Sequence, residues 1–382
     1  MSQSPDAIVI GAGIIGATTA LSLTNAGLKV LVLDRGSIAS GTTSAGEGNI
    51  LVSDKEPGAE LDLALRSRDA WFELSDDIGG GFELEAKGGV VVAANNSSGL
   101  QHLTAKQRSA GIDARDITSA ELWDLEPHLS RDITIGAYYP QDAQCQPMLA
   151  TARILQAVKK RGGEIITGAE VQEIQSKRGV VSSVVTSKGS FSSPVVINAA
   201  GTWAGSIARL AGSDLPIAPR RGFILVSVPT THKIFHKVYS ADYVANVASG
   251  DADLQSSAVV EGTQSGTILI GASRERVGFK EGIDYSVVRI LARQAIALFP
   301  FLAEVQLMRV YRGFRPYAPD HLPVIGQDPM IKGLWHNAGH EGAGIGLAPA
   351  SAQLLSDSIL ERKSFMNSAP FAPSRFLSVS GL

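Results

Sequence analysis

The residues with the clearest chemistry stand near the start of the chain: Gly11, Gly13 and Gly16 follow a short apolar run, and Asp34 closes the next one. In a strand-to-helix turn, the first glycine lets the chain turn tightly. The second lets backbone N–H groups approach a pyrophosphate, and the third lets the helix pack close to the sheet. The Asp34 carboxylate can accept both hydrogen bonds of an adenosine ribose diol and would repel a 2′-phosphate. The spacing predicts an adenine-dinucleotide site and disfavours NADP.

A glycine-rich turn without a ligand is the alternative interpretation. The pattern contains more than glycines, however, because the amphipathic helix predicted over 17–26 stops at Gly27 and a second apolar strand follows before the acid. A turn without a ligand does not require these features to fall in register. The pattern therefore favours a cofactor enzyme.

The composition restricts the class of protein. A chain of 382 residues is too long for one small core, so we expect two domains. The net charge of −3, with scattered basic residues, gives no electrostatic reason to expect nucleic acid. Cys145 is the single cysteine, which excludes an internal disulfide and an iron–sulfur cluster held by this chain alone. Without a secretory signal or a membrane-length apolar run, we expect a cytoplasmic protein, at most peripheral to the inner face of the cytoplasmic membrane.

The order of predicted elements indicates an α/β fold with a discontinuous first domain. A strong apolar strand at 195–201 ends in a second glycine-bearing turn, so the chain is expected to return late to the dinucleotide sheet. The region 216–319 contains mostly alternating strands, typical of an α+β substrate domain with a mostly antiparallel sheet. We place the dinucleotide domain at 1–80, 147–215 and 320–382, and the substrate domain at 81–146 and 216–319.

Four separated motifs resemble the FAD-dependent D-amino acid oxidase (DAO) superfamily. They are the glycine pattern at 11–16, Asn-Ala-Ala-Gly-Thr-Trp-Ala at 198–204, the segment 312–326, and Gly-His-Glu-Gly-Ala-Gly-Ile-Gly-Leu-Ala-Pro at 339–349. The motifs occur in the family's order and span nearly the whole chain. The resemblance implies a Rossmann-like FAD domain of the glutathione-reductase type, and it replaces NAD by FAD as the expected dinucleotide.

Within the superfamily, the segment 266–275 and the carboxyl-terminal motif look most like the β subunits of multisubunit dye-linked dehydrogenases. These include opine, D-hydroxyproline and L-proline dehydrogenases and hydrogen cyanide synthase. The resemblance implies an α subunit with a second dinucleotide domain, a small subunit with an iron–sulfur cluster, and FMN near an interface in some members. Some relatives tether flavin through a histidine. Ser44 stands near that position here, so non-covalent FAD is expected.

Carried over position by position, the resemblance implies a set of cofactor-binding residues. The pyrophosphate would lie at the glycine turn and beside 200–201, the adenosine near 34–35 with a backbone contact from Val171, and the flavin along 41–48. The complete set is Gly11, Gly13, Ile14, Ile15, Gly16, Asp34, Arg35, Thr42, Thr43, Ser44, Gly46, Glu47, Gly48, Val171, Ala200, Gly201, Trp203, Arg315, Gly342, Ala343, Gly344, Ile345 and Gly346.

Three residues are predicted to act in catalysis. Arg315 matches an arginine that, in glycine and D-amino acid oxidases, holds the substrate carboxylate in a bidentate fork. A structural salt bridge is the alternative. Gly344 lies in a loop predicted over 339–346, before a helix predicted over 347–361, where backbone N–H groups can stabilise negative charge on reduced flavin. His340 could assist there as a cation or donor, or simply bond to backbone.

The substrate-binding candidates beside Arg315 and His340 are Glu47, Tyr239, Tyr243 and Glu261. Either glutamate could clamp the guanidinium of a basic opine, or could be solvated or paired within the protein.

The predicted reaction is hydride transfer from the Cα–H of an amino acid or secondary amine, giving an imine that water hydrolyses to a keto acid and an amine. An opine such as octopine or nopaline is the favoured substrate, and D-hydroxyproline or L-proline is the alternative. A stand-alone oxidase for glycine, sarcosine or D-amino acids and a non-catalytic FAD-bound subunit are also consistent with the sequence.

Overall fold

The computed structural model describes residues 4–93, 97–241 and 254–379. The strands in these ranges are β1 (Ala7–Ile10), β2 (Val30–Asp34), β3 (Asn49–Ile50), β4 (Gly89–Ala93), β5 (Arg115–Ile117), β6 (Ile135–Tyr139), β7 (Ala143–Gln144), β8 (Glu164–Thr167), β9 (Val171–Lys177), β10 (Val180–Thr186), β11 (Gly189–Ser192), β12 (Val195–Asn198), β13 (Ala218–Ser227), β14 (Lys237–Ser240), β15 (Gln255–Gly262), β16 (Ile268–Arg274), β17 (Leu307–Tyr317), β18 (Val324–Gln327) and β19 (Leu334–Ala338). The helices are α1 (Ile14–Asn25), α2 (Ala59–Ile78), α3 (Ser97–Ser109), α4 (Ser119–Leu125), α5 (Pro147–Lys160), α6 (Ala204–Leu210), α7 (Tyr285–Leu298) and α8 (Gly344–Ile359).

The first large sheet has the strand order β18-β19-β12-β1-β2-β8. Its pairs are parallel except for β18 with β19. Strand β1 lies between β2, which follows it in sequence, and β12, which comes more than 180 residues later. This confirms the predicted α/β class and the late return of the chain to the dinucleotide sheet.

Both faces of this sheet are covered, which is why its central strands are continuous apolar runs. Helix α1 packs between α5 and α8 on one face, and α2 packs against α8. The small antiparallel sheet β11-β10-β9 covers the other face together with α6. The carboxyl ends of the parallel strands are left open at one edge, where ligands bind in folds of this kind.

The second large sheet has the order β17-β13-β16-β15-β14-β4-β6-β5, and only the β14–β4 pair is parallel. It is the mostly antiparallel sheet that the sequence predicts. Phe223 and Leu225 of β13 join the apolar cluster formed with α7, whereas Gly222 and Ile224 line the cavity on the opposite face. This period of two means that one face of the sheet is a core and the other is available for a ligand.

The carboxyl-terminal helix differs from its predicted bounds. Helix α8 begins at Gly344, three residues before the predicted start, because a single turn of 3₁₀ helix at Glu341–Ala343 leads directly into it. The domain boundaries proposed from the sequence stay a prediction. Within the described ranges, no helix is long and apolar enough to cross a membrane.

Replacing Gly16 by alanine is expected to destabilise the protein. A Cβ at this position would overlap the carbonyl oxygen of Gly11, and neither backbone can move without separating α1 from β1. Overpacking of this kind costs about 1–3 kcal/mol. Chemical denaturation of Gly16→Ala would measure the loss, with Ser22→Ala on the same helix as the control, which we expect to change stability by less than about 0.5 kcal/mol. Equal stability of Gly16→Ala and the wild type would disprove the packing role.

Candidate FAD and substrate site

A cavity of about 550 Å³ is lined by residues of both large sheets. Its walls include the carboxyl ends of β1, β2 and β19, the start of α8, the middle of β13 and the carboxyl-terminal half of β17. The volume is in the range of small-molecule and cofactor sites. Among the predicted site residues, the cavity is lined by Gly11, Gly13, Ile14, Ile15, Asp34, Arg35, Thr42, Thr43, Gly46, Glu47, Val171, Ala200, Gly201, Trp203, Arg315, His340, Gly342, Gly344 and Ile345.

The turn after β1 depends on close backbone contacts. Gly11 has φ +115°, and a Cβ there would overlap the carbonyl oxygen of Ala199. Gly16 does not line the cavity, since it packs against Gly11. A Cβ at Gly13 would meet only the hydroxyl of Thr43, at 3.1 Å. Gly16 thus holds α1 against the strand, while Gly11 and Gly13 leave the backbone open to a ligand.

The end of β2 carries the acid predicted to face an adenosine ribose. The two carboxylate oxygens of Asp34 accept hydrogen bonds from the N–H groups of Ala12 and Gly36, each at 2.7 Å. A carboxylate can accept about four hydrogen bonds, so both oxygens retain acceptor capacity toward a ribose diol. The neighbouring Arg35 guanidinium lies 4.1 Å from the centroid of the Trp203 ring, in a cation–π contact.

The small-residue stretch after β2 forms a turn of 3₁₀ helix at Thr42–Ala45. This turn forms hydrogen bonds with both α1 and β17. The Thr43 hydroxyl accepts from the N–H of Ile14 at 3.1 Å, and the Thr42 hydroxyl donates to the carbonyl of Phe314 at 2.7 Å. Thr202, which sequence reasoning missed, donates to the same carbonyl at 2.6 Å. These contacts fix the turn against both sheets.

Several predicted cofactor residues near this turn do not reach the main cavity. The Ser44 hydroxyl donates to the carbonyl of Gly41 at 3.0 Å. A Cβ at Gly48 would overlap the Cys145 carbonyl, so the absence of a side chain at this position allows β3 to pair with β7. Ala343 and Gly346 line a separate, much smaller depression. For these positions the structure indicates a supporting role.

The start of α8 is held by two side chains of α2 that the sequence did not reveal. Pro349 has no N–H, so the carbonyl of Ile345 lacks its helical donor. Trp71 Nε1 donates to that carbonyl at 2.9 Å. The Ser67 hydroxyl donates to the next carbonyl, that of Gly346, at 2.6 Å, and accepts from the N–H of Ala350 at 3.3 Å. Helix α2 therefore positions the N-terminal turn of α8 at the cavity.

His340 is buried in the cavity wall. Its Nε2 lies 3.0 Å from the Ser351 hydroxyl, and its Nδ1 has no hydrogen-bond partner among the residues that the structure describes. Burial lowers the pKa of the His340 imidazole to about 3. The structure therefore disfavours the predicted cationic role and leaves that of a neutral donor or acceptor.

Arg315 lies across two glycines that give it room. A Cβ at Gly222, on the neighbouring strand β13, would overlap Arg315 Nη1, and one at Gly342 would meet Nε at 3.6 Å. Nη1 also donates to the Ser273 carbonyl at 2.8 Å. These contacts hold the guanidinium at the cavity wall. The requirement for Gly222 could not be recognised without knowing which residue lies above it.

Glu341, also missed in the sequence, forms an ion pair with the buried side chain of Arg220 and lies 3.0 Å from His321 Nδ1. Burial by itself would raise its pKa. The hydrogen bond with His321 and the charges of Arg220 and Arg274 outweigh burial and lower the pKa of Glu341 to about 2. The wall beside α8 therefore contains an ionised acid that is already neutralised within the protein.

Two predicted substrate residues are not brought to the cavity. Tyr239, in a central strand of the antiparallel sheet, is buried and its hydroxyl joins a network with Ser53 and Asp142. Glu261 is buried in an ion pair with Lys237. Neither residue lines the cavity, and their roles in substrate binding stay a prediction. Tyr243 lies outside the described residues.

The residues present fit FAD. The cavity is lined by Asp34 and Val171, by the glycine turn after β1, and by Arg315 and His340. A helix N-terminus favours a pyrophosphate, and α1 begins at Ile14 beside the turn. The buried atoms His340 Nδ1 and Asn337 Oδ1, on cavity-lining residues, have no hydrogen-bond partner within the described ranges. A polar ring system in the cavity would satisfy such atoms.

Comparisons with known proteins agree with this fold. The chain is 29% identical to the bifunctional protein ThiO/ThiG of Synechocystis sp. over its whole length, but spans only 55% of that longer relative. It is 28% identical to a glycine oxidase of Pseudomonas aeruginosa, with 97% of this chain and 99% of the relative covered. The structure of an L-proline dehydrogenase from P. horikoshii superposes with a TM-score of 0.89 at 24% identity, covering 99% of both chains.

The fold and the cavity define a flavoprotein oxidoreductase with a Rossmann-like FAD domain. The sequence model of the DAO family, described as FAD dependent oxidoreductase, matches residues 6–358. The chain belongs to this family.

Replacing Trp71 by phenylalanine is expected to destabilise the protein by about 1–3 kcal/mol, because the partly buried carbonyl of Ile345 loses its donor. We also expect weaker FAD binding, since the first turn of α8 is released. Denaturation curves and flavin content would measure both effects. Trp123→Phe is the matched control, because Trp123 Nε1 has no acceptor among the described residues. Equal losses in the two variants would contradict the role of the hydrogen bond.

The neutral state of His340 predicts a dependence of stability on pH. The pKa of His340 in the folded protein, about 3, lies below the usual pKa of a histidine. At any pH between these two pKa values, the unfolded chain therefore binds more protons than the folded protein. Stability is therefore lost as the pH falls. From pH 7 to 5, the unfolding free energy of the wild type should decrease by about 2 kcal/mol more than that of His340→Gln. Exposed His102→Gln serves as the control, and parallel curves for wild type and His340→Gln would refute the prediction.

Proposed function

We propose that this enzyme oxidises the C–N bond of an amino acid or secondary amine to an imine, which water hydrolyses to a keto acid and an amine. The observation that carries the proposal is the Arg315 guanidinium at the cavity wall, held between Gly222 and Gly342. A guanidinium offers a planar fork that matches a carboxylate. The similarity to glycine oxidases over nearly the full length of both chains supports an amino-acid substrate.

The protein's own residues supply orientation and electrostatics. When bound, FAD would accept the hydride and, with it, both electrons of the oxidation. Arg315 holds the substrate carboxylate and so restricts where its Cα–H lies, which is the main catalytic contribution expected of a well-aligned site. The N-terminal turn of α8, around Gly344 and Ile345, directs its positive end to the cavity wall and favours negative charge there. Neutral His340 adds a polar group without adding charge.

We propose further that the substrate is an opine and that the electrons pass to partner subunits. The choice of an opine rests on the resemblance to opine dehydrogenases. Glu47 supports only a substrate with a cationic nitrogen, because it places a carboxylate in the cavity wall. Glu261 gives no such support, since Lys237 already pairs with it. The second part rests on the resemblance to multisubunit dehydrogenases, with an iron–sulfur cluster and any interfacial FMN held outside this chain or between chains. Non-covalent FAD, with Ser44 in place of the tethering histidine, belongs to the same proposal.

A stand-alone oxidase is the second candidate. It is favoured by the full-length similarity to glycine oxidase, in which 99% of the relative is covered by this chain. An anaerobic screen of octopine, nopaline, D-hydroxyproline, L-proline, D-amino acids, sarcosine and glycine would identify the substrate by bleaching of the flavin. Peroxide yield compared with dye reduction, with and without co-expressed neighbouring subunits, would then separate oxidase from dehydrogenase. Failure of every amine to bleach the flavin would reject the proposed reaction.

Replacing Arg315 by lysine should raise the KM for the substrate found in that screen by about 100-fold or more, because an ammonium cannot reproduce the bidentate fork. Flavin content should not change. Steady-state kinetics would measure KM and kcat separately. Arg312→Lys is the matched control, since Arg312 lies on the same strand, pairs with Glu281 at 3.4 Å and does not line the cavity. An unchanged KM in Arg315→Lys would rule out carboxylate binding by this residue.

A further inference from the structure

Glu47 is a buried carboxylate with incomplete internal pairing. Its side chain lines the cavity, yet the residue is only 7% exposed. One oxygen, Oε2, lies 3.4 Å from Asn49 Nδ2 as the acceptor of a long hydrogen bond. The other, Oε1, has no hydrogen-bond partner among the described residues. A buried charge in this situation is unfavourable unless a further partner binds to it.

The neighbouring buried charges do not provide that partner. Lys237 forms its ion pair with Glu261 and also donates to Asn49 Oδ1. The amide of Asn49 thus stands between the ion pair and Glu47. Burial raises the pKa of the Glu47 carboxyl, and the nearby charges of Lys237 and Arg315 offset part of that effect, so a further cationic partner would favour its ionised form.

Glu47 and Arg315 lie over the same face of the antiparallel sheet. The Arg315 guanidinium lies over Gly222, and Glu47 Oε1 lies beside Gly271, where an added Cβ would meet both Oε1 and the Ile224 side chain at 2.9 Å. Gly222 and Ile224 are successive positions on one face of β13, about 7 Å apart. A small molecule with a carboxylate and an amine, forming a hydrogen bond at each end, can bridge that span.

We infer that Glu47 binds the cationic nitrogen of the substrate while Arg315 binds its carboxylate, so that the two residues together select an α-amino or α-imino acid over a simple carboxylic acid. This inference rests on the proposed function and adds the determinant of specificity. It assigns Glu47 to the reacting amine, in preference to a distant side-chain guanidinium, because Arg315 lies at the neighbouring position of the same wall.

The test compares ligands that differ only in the cationic nitrogen: glycine with glycolate, sarcosine with methoxyacetate, and L-proline with tetrahydrofuran-2-carboxylate. Calorimetric titration of the dithionite-reduced holoprotein would give Kd without turnover. In the wild type we expect at least one amine to bind more tightly than its oxygen analogue. In Glu47→Gln that amine should lose about tenfold or more in affinity, while the analogue changes less than about twofold.

Glu126→Gln is the matched control. Glu126 is also fully buried with one carboxylate oxygen that lacks a partner among the described residues, but it does not line the cavity. It should leave every Kd unchanged. Equal weakening of amine and analogue in Glu47→Gln, or a loss of kcat with unchanged amine affinity, would overturn the inference, as would a wild type that does not discriminate within any pair.

The two proposals can fail separately. If amines bleach the flavin of the wild type and Glu47→Gln alters both members of a pair equally, only the role of Glu47 is rejected. If no amine bleaches the flavin, the proposed reaction is rejected whatever the binding data show.

Discussion

The site depends on backbone segments that approach each other more closely than any side chain would allow. Gly16 lies against the carbonyl of Gly11, Gly48 against that of Cys145, and Gly313 against Ala45. Each contact joins a different pair of elements around one cavity: helix to strand, loop to strand end, and the 3₁₀ turn to the antiparallel sheet. Because backbone cannot rotate away as a side chain can, these contacts fix the shape of the cavity before any ligand binds.

The same constraint explains how Arg315 can be both packed into a wall and available to a ligand. The glycine on the neighbouring strand leaves a shallow space that the guanidinium fills, and the Ser273 carbonyl accepts one of its N–H groups. A planar group held by its edge and its face has little rotational freedom, so less entropy is lost when a carboxylate binds. Orientation of the substrate is thus prepared by the packing of β13 against β17.

Several charges near the cavity are balanced within the protein. Glu341 is neutralised by Arg220, Glu261 by Lys237, and His340 is kept neutral by burial. In a wall of low polarity, unpaired charges would dominate the field. Arg315 and Glu47 line the cavity with side chains of opposite charge type, which suits a substrate that carries both charges.

The sequence by itself determined the dinucleotide fold, because the glycine spacing, the apolar strands and the terminal acid are local features with one physical solution. It also singled out Arg315 and predicted a helix after the loop at 339–346, although that helix begins three residues earlier than predicted, at Gly344. It could not separate Tyr239 and Glu261 from true cavity residues, since whether a buried polar group meets a ligand or an internal partner depends on what lies across from it. Only the tertiary structure decided that Lys237 forms an ion pair with Glu261. It also decided that Trp71 and Ser67 replace the hydrogen bonds disturbed by Pro349, and that Gly222 leaves room for Arg315. These are contacts between residues far apart in the chain, and their partners are fixed by the packing of the two sheets, which no local pattern specifies.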